Sequence, residues 1–157
     1  MKPSDLRAVA IVALGLLALP AAGYAAGSSS NDEPAKPDLY KQAEDLIDDE
    51  DYADAIPLLQ KSIQEKGEYA DALNLLGYAN RKLGDKAKAM TYYTKALNLE
   101  PNHLGANEYM GELYLEMNDL AKAEERLAVL KTACGDCDEF DDLEDEIEDY
   151  KEEHGLS

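Results

Sequence analysis

The sequence predicts an all-α protein, and three observations carry that expectation. The apolar residues are mostly Ala and Leu, which favour helices, while β-branched Val and Ile are few. The hydrophobic fraction of 45% is large enough for a chain of 157 residues to bury a core. Shifting the chain by thirty-four residues brings Ala55, Ala89 and Ala123 into register, along with Ala43, Gly77 and Gly111, and Leu59, Tyr93 and Leu127. A repeat of that length is one supersecondary unit, which stacks on its neighbours to bury a continuous core.

The first element is a leader. Lys2 and Arg7 precede an uncharged run from Ala8 to Leu19, followed by Pro20 and the small-residue stretch Ala21, Ala22, Gly23, Tyr24, Ala25 and Ala26. This is the three-part layout of a secretory signal, with Gly23 and Ala25 placed for cleavage after Ala25, so residues 1–25 read as a signal peptide. The rival is an uncleaved anchor over Ala8 to Ala26, weakened by Pro20 and Gly23. In either case Lys2 and Arg7 hold the amino end in the cytoplasm while the rest crosses the membrane. No Cys lies near the cleavage region, so a lipid anchor is not indicated. The short, Ala-rich apolar core has a bacterial character, which makes the periplasm the first expectation and secretion the second. Stable membrane insertion of the mature chain is not expected.

Residues 26–35 form a linker. The stretch from Gly27 to Pro37, GSSSNDEPAKP, has Ala35 as its one apolar residue and cannot drive its own ordering.

Three repeats follow, over 36–69, 70–103 and 104–137. The clearest copy, ADALNLLGYANRKLGDKAKAMTYYTKALNLEPNH from Ala70 to His103, resembles the tetratricopeptide repeat over the whole unit. Leu73, Leu76 and Gly77 occupy its first helix, Ala89, Tyr93 and Ala96 its second, and Pro101 closes it; Asn80 departs where the family usually has Tyr. The small residues at 43, 77, 111, 55, 89 and 123 let paired helices approach, and Leu59, Tyr93 and Leu127 fill the space beside them. Turns are expected at Glu50-Asp51, Gly84-Asp85 and Asn118-Asp119, the second residue being the N-cap. The outer copies depart at Gly67 and Gly135, where the family closes with Pro. Pro57 inside the first repeat's second helix removes a backbone bond and predicts a slight kink. The resemblance implies a right-handed α-solenoid of helix-turn-helix repeats.

The last element is an acidic helix over 138–153. Phe140, Leu143, Ile147 and Tyr150 recur at spacings of three, four and three among Asp and Glu, giving one apolar stripe on a charged helix. That pattern suits a cap over the open end of a solenoid, the alternative being an acidic docking element for a basic partner.

Chemistry-bearing residues are sparse. Cys134 and Cys137 form a C-G-D-C pair. Asp138 follows the second Cys where haem attachment needs His, and distant His103 and His154 do not complete a zinc site. Asp136, Asp138 and Glu139 oppose the thiolate that redox catalysis requires. A structural disulfide in an oxidising compartment is the reading left, contributing roughly 2 kcal/mol at most because its loop is so short. The alternative is a thiol-disulfide redox protein in which the repeats recruit substrate. Acid clusters at Asp48 to Asp51 and Asp136 to Asp142 lack the spacing of a calcium loop. No catalytic triad, phosphate loop or HExxH helix is present, so neither an enzyme nor a cofactor is expected. His103, after Pro101 in an inter-repeat turn, reads as solvent-facing.

Thirty-four acidic against fifteen basic residues give a net charge of −19, which repels nucleic acid and anionic lipid. Protein binding is the function class that remains, as an adaptor or assembly scaffold. The resemblance implies that solvent-facing residues of each first helix line a concave groove: Tyr40, Glu44 and Ile47, then Asn74, Tyr78 and Arg81, then Glu108, Glu112 and Leu115. Only Asn74 and Arg81 among them suit a clamp for a C-terminal carboxylate, so that clamp is not expected. A neutral to basic peptide or helix with apolar anchors fits the remaining set. Self-association through repeat edges is a weaker alternative.

The mature chain is expected to begin at Ala26. Losing Lys2, Arg7 and Asp5 removes one net positive charge and takes the chain from −19 to −20. Intact-mass measurement of the exported protein checks this, and full-length chain recovered in the membrane fraction would establish the anchor instead.

Overall fold

The computed structural model describes residues 38–156. The leader expected over 1–25 and the linker expected over 26–35 lie outside them. The described residues form seven α-helices and no strand: α1 Leu39–Asp48, α2 Tyr52–Lys66, α3 Ala70–Lys82, α4 Lys86–Leu99, α5 Leu104–Glu116, α6 Leu120–Ala133 and α7 Asp138–His154. None of these is long and apolar enough to cross a membrane. Helices α3, α5 and α7 begin at Ala70, Leu104 and Asp138, so the sequence period passes directly into the element order.

Each odd-numbered helix pairs with the helix that follows it, and the next pair packs against both. Consecutive first helices α1, α3, α5 and α7 stand side by side in one layer, with α2, α4 and α6 behind them. Every contact joins elements one or two apart in the chain, as expected of a solenoid.

The turns inside the pairs repeat to the level of single hydrogen bonds. Glu50, Gly84 and Asn118 all have left-handed φ, at 62°, 85° and 60°. The amides of Asp51, Asp85 and Asp119 then reach back to the carbonyls of Leu46, Asn80 and Tyr114, each at 2.8 Å. This closure satisfies carbonyls that the helix end leaves open. Gly84 takes the conformation freely, Asn118 tolerates it, and Glu50 carries the largest steric strain of the three. Asp85 and Asp119 cap the next helices through Lys88 N at 3.1 Å and Lys122 N at 3.3 Å, whereas Asp51 makes no side-chain cap bond. Helix α2 continues through Pro57.

Small residues set the helix separations. A methyl group at Gly77 would fall inside the contact shell of the Tyr93 ring on α4. At Gly111 it would lie 2.5 and 2.7 Å from the terminal carbons of Leu143. The space beside Gly111 is therefore filled from α7, and not from Leu127 as the register alone suggests, because Leu127 is only partly buried beside the last core cluster.

Helix α7 seals the third pair with Phe140, Leu143 and Ile147, which join Leu115, Ala123 and Leu130 in one buried cluster, with Tyr150 at its edge. Asp138, Glu139 and Asp141 occupy the first turn of α7 and Lys151 and His154 its last, an order that suits the helix dipole. Lys151 also reaches Glu124 of α6 at 2.6 Å.

One correction and one further finding concern polar residues between the second and third pairs. His103 is not solvent-facing: its side chain is 12% exposed. It caps α5 by accepting from the Ala106 amide at 3.1 Å, and its other ring nitrogen meets Asp71 at 3.1 Å. Asn107 is fully buried and donates to the carbonyls of Pro101 and His103, while its oxygen accepts from Arg126 at 3.2 Å. One amide thereby joins the closing turn of the second pair to both helices of the third.

Gly77→Ala should lower stability by about 1–2 kcal/mol, overpacking against Tyr93 outweighing the ~1 kcal/mol helix gain over Gly. Adding Tyr93→Leu should recover most of the loss, because Ala and Leu stand at the equivalent positions 43 and 59, which share one buried cluster. Thermal melts of the single and double variants check both steps.

Candidate partner-binding groove

The side-by-side packing of α1, α3, α5 and α7 aligns equivalent positions into three rows. Tyr40, Asn74 and Glu108 lead to Asp142; Glu44, Tyr78 and Glu112 lead to Glu146; Ile47, Arg81 and Leu115 lead to Asp149. The α7 members of each row were not anticipated as groove residues, although the thirty-four-residue shift that found the repeats reaches them too. With them, the groove gains a fourth wall made wholly of carboxylates.

The expected groove residues do not all face solvent. Tyr40, Glu44, Ile47, Tyr78 and Glu112 are partly exposed. Asn74, Arg81, Glu108 and Leu115 are buried, at 6%, 8%, 7% and 7% exposure. Leu115 belongs to the buried cluster beneath α7, which covers most of it, and its remaining edge lines the cavity at that end of the groove. Asn74 lies under the approach of Gly105, where a methyl group would come 3.0 Å from its side-chain nitrogen, and its oxygen is buried without a partner.

Tyrosine rings run along the floor of the groove. Tyr52 and Tyr78 are 6.0 Å apart edge-on, Tyr78 and Tyr109 are 4.7 Å apart, and Tyr109 and the buried Tyr93 are 6.5 Å apart. The Arg81 guanidinium stands 5.5 Å from the Tyr78 ring and 5.7 Å from Tyr109, a cation–π arrangement. Its Nη1 donates to Glu112 at 2.5 Å and to Glu116 at 3.1 Å, while Nε is buried without an acceptor. Arg81 is thus committed to the protein's own acids and is not free to clamp a ligand carboxylate. Because this pair is largely dehydrated, removing either partner would strand a buried charge.

Beyond Arg81 the groove opens into a cavity of about 510 Å³ bounded by Glu112, Glu116, Glu146, Asp149, Tyr150 and Glu153, with His154 at its edge. Among the described residues no cation pairs with Glu146, Asp149 or Glu153. Glu108 sits one turn before Glu112. Burial, and then the negative charges of Glu112, Asp142 and Glu139, push its carboxyl up to about 8. Burial also raises Glu112, against the opposing pull of Arg81. Among the described residues no group of three or more acidic, His or Cys side chains is placed to hold a metal ion.

Cys134 at the end of α6 and Cys137 at the start of α7 stand with Cα atoms 5.9 Å apart and their sulfurs joined. They lie at the turn that delivers α7 to the third pair, away from the tyrosine floor.

Glu108 makes stability depend on pH. Its folded value is raised, so its contribution is complete below the unfolded carboxylate range near 4.5 and is lost as pH rises toward about 8. The melting temperature should fall between about pH 5 and about pH 9, and Glu108→Gln should raise it at the alkaline end and flatten the profile. Circular dichroism melts across that range check the slope.

Two tetratricopeptide repeat family models match the chain, one over residues 40–103 and the other over 80–144. No curated protein matches the sequence. Among solved structures, the type III secretion translocator chaperone SycD of Yersinia enterocolitica is similar with a TM-score of 0.65 and 18% identity, over 75% of this chain and 84% of that one. The same chaperone in complex with a peptide of the translocator YopD gives 0.62 and 20% identity, over 73% and 88%. YrrB, a repeat protein described as having an unusual peptide-binding site, gives 0.53 and 18% identity, over 75% and 70%. The family matches span 40 to 144 and so take in all three helix pairs and the first turns of α7: the chain belongs to the tetratricopeptide repeat family.

Proposed function

We propose that this chain is a non-enzymatic protein-interaction module of the bacterial periplasm, an adaptor or assembly scaffold that holds a peptide or helical segment of another protein in its concave groove. The observation that carries this reading is the wall formed by α1, α3, α5 and α7. It combines partly exposed Tyr40, Ile47, Tyr78 and Tyr109 with a large open cavity at which Glu146, Asp149 and Glu153 have no cation partner among the described residues. Aromatic area flanked by uncompensated charge suits a segment that brings apolar anchors and neutral or basic side chains. The peptide seen with SycD and the peptide site described for YrrB support a peptide ligand on this fold. The periplasmic assignment rests on the leader residues Lys2, Arg7, Gly23 and Ala25.

Photo-cross-linking groups placed at Glu44 and Glu146 in the groove, and at Lys88 and Thr91 on the exposed side of α4, test the reading in cells. Adducts to a partner are expected at the two groove positions and not at the two α4 positions. Adducts confined to α4 would move the binding surface to the outer layer.

A further inference from the structure

Glu108 is the one buried carboxylate among the described residues, and there it has neither an ion pair nor a hydrogen bond. The charged and titratable groups that face it are Glu112 and Tyr109 on its own helix, Tyr78 and Arg81 from α3, and Glu139 and Asp142 from α7. Arg81 is the only cation in this ring, and Glu112 and Glu116 already occupy it. Three further carboxylates therefore surround a fourth whose side chain is mostly buried. Each repels the others, and the positive amino end of α7 offsets only part of that repulsion. A unit positive charge carried on a slender apolar stem is the group that would neutralise this arrangement without filling the groove with polar surface. Lysine and arginine side chains are built that way.

We propose that the α5–α7 end of the groove is a socket for one lysine or arginine side chain of the docked segment, and that the incoming cation displaces a proton held on Glu108. This inference rests on the groove reading above and adds to it the chemical class of the anchor. Around neutral pH the free protein keeps a proton on Glu108 much of the time, since its carboxyl is pushed up to about 8. On docking, that proton passes to solvent and the carboxylate pairs with the ligand's ammonium or guanidinium group. The bound state holds fewer protons, so affinity must strengthen as pH rises, by up to about tenfold per unit below the Glu108 midpoint.

The test is selection of a displayed library of random twelve-residue peptides on the disulfide-bonded mature chain, in parallel with its Glu108→Gln and Asp142→Asn variants. Asp142 is exposed, so the second variant keeps the experiment informative if the first perturbs folding. The wild type is expected to enrich peptides with Lys or Arg beside apolar residues, and both variants to bind peptides with that enrichment reduced. A His-free selected peptide should bind the wild type roughly tenfold more weakly at about pH 6 than at about pH 7 and show little change on Glu108→Gln. Groove-binding peptides without basic enrichment, or a pH-independent affinity, would overturn the socket and leave the groove reading standing. Selected peptides that cross-link only to the outer helices, or no enrichment of any peptide, would overturn both.

Discussion

The separation between neighbouring helices is set at a few positions where side chain is nearly absent, and the groove inherits its shape from them. Gly77 admits the ring of Tyr93, Ala43 shares one buried cluster with Leu59, and Gly111 admits Leu143. The first two bring a second helix against its own first helix. The third does something different, because it draws α7 against α5 and so brings a fourth helix into the layer that lines the groove. Without that approach the cluster of Phe140, Leu143 and Ile147 would face water, and α7 would have no reason to lie where its acids line a wall.

That docking holds like charges together. Helix α7 brings Glu139, Asp142, Glu146 and Asp149 toward a helix that already carries Glu108 and Glu112, and dispersion and apolar burial must exceed the repulsion. Three features reduce it: the ion pairs of Arg81 with Glu112 and Glu116, the bond from Lys151 to Glu124, and the alignment of the first-turn acids of α7 with its dipole. Glu108 makes no ion pair of its own, and the more distant charge of Arg81 offsets only part of the repulsion it meets. The fold thus tolerates one buried acid without a direct partner where α7 packs against α5.

The fold class, the three helix pairs and the capping stripe were legible in the sequence, because apolar spacing and small residues at fixed intervals are local signals. The turn positions were legible too, whereas the left-handed backbone shared by residues 50, 84 and 118 came only from the structure. The groove was legible only in its register. The spacing of Asn74, Arg81, Glu108 and Leu115 puts them on the concave side, but whether such a residue is open or covered depends on the next helix, a long-range fact. Leu115 is largely covered for that reason although its edge still lines the cavity, and Asp142, Glu146 and Asp149 were missed because α7 was read as a lid and not as a fourth wall. The burial of His103 and Asn107 left no periodic trace, since each acts through hydrogen bonds to particular carbonyls, amides or side chains.

Among the described residues helix contacts never skip more than one element, so each helix pair finds its partners among residues made shortly before or after it. Such a topology has low contact order and allows structure to accumulate in the order of synthesis or translocation. The tyrosine floor is complete once α5 is in place, whereas the acidic wall waits for α7. A partly emerged chain would therefore present an aromatic surface before the acids of α7 stand beside it, so the charge of this face would be the last of its properties to appear.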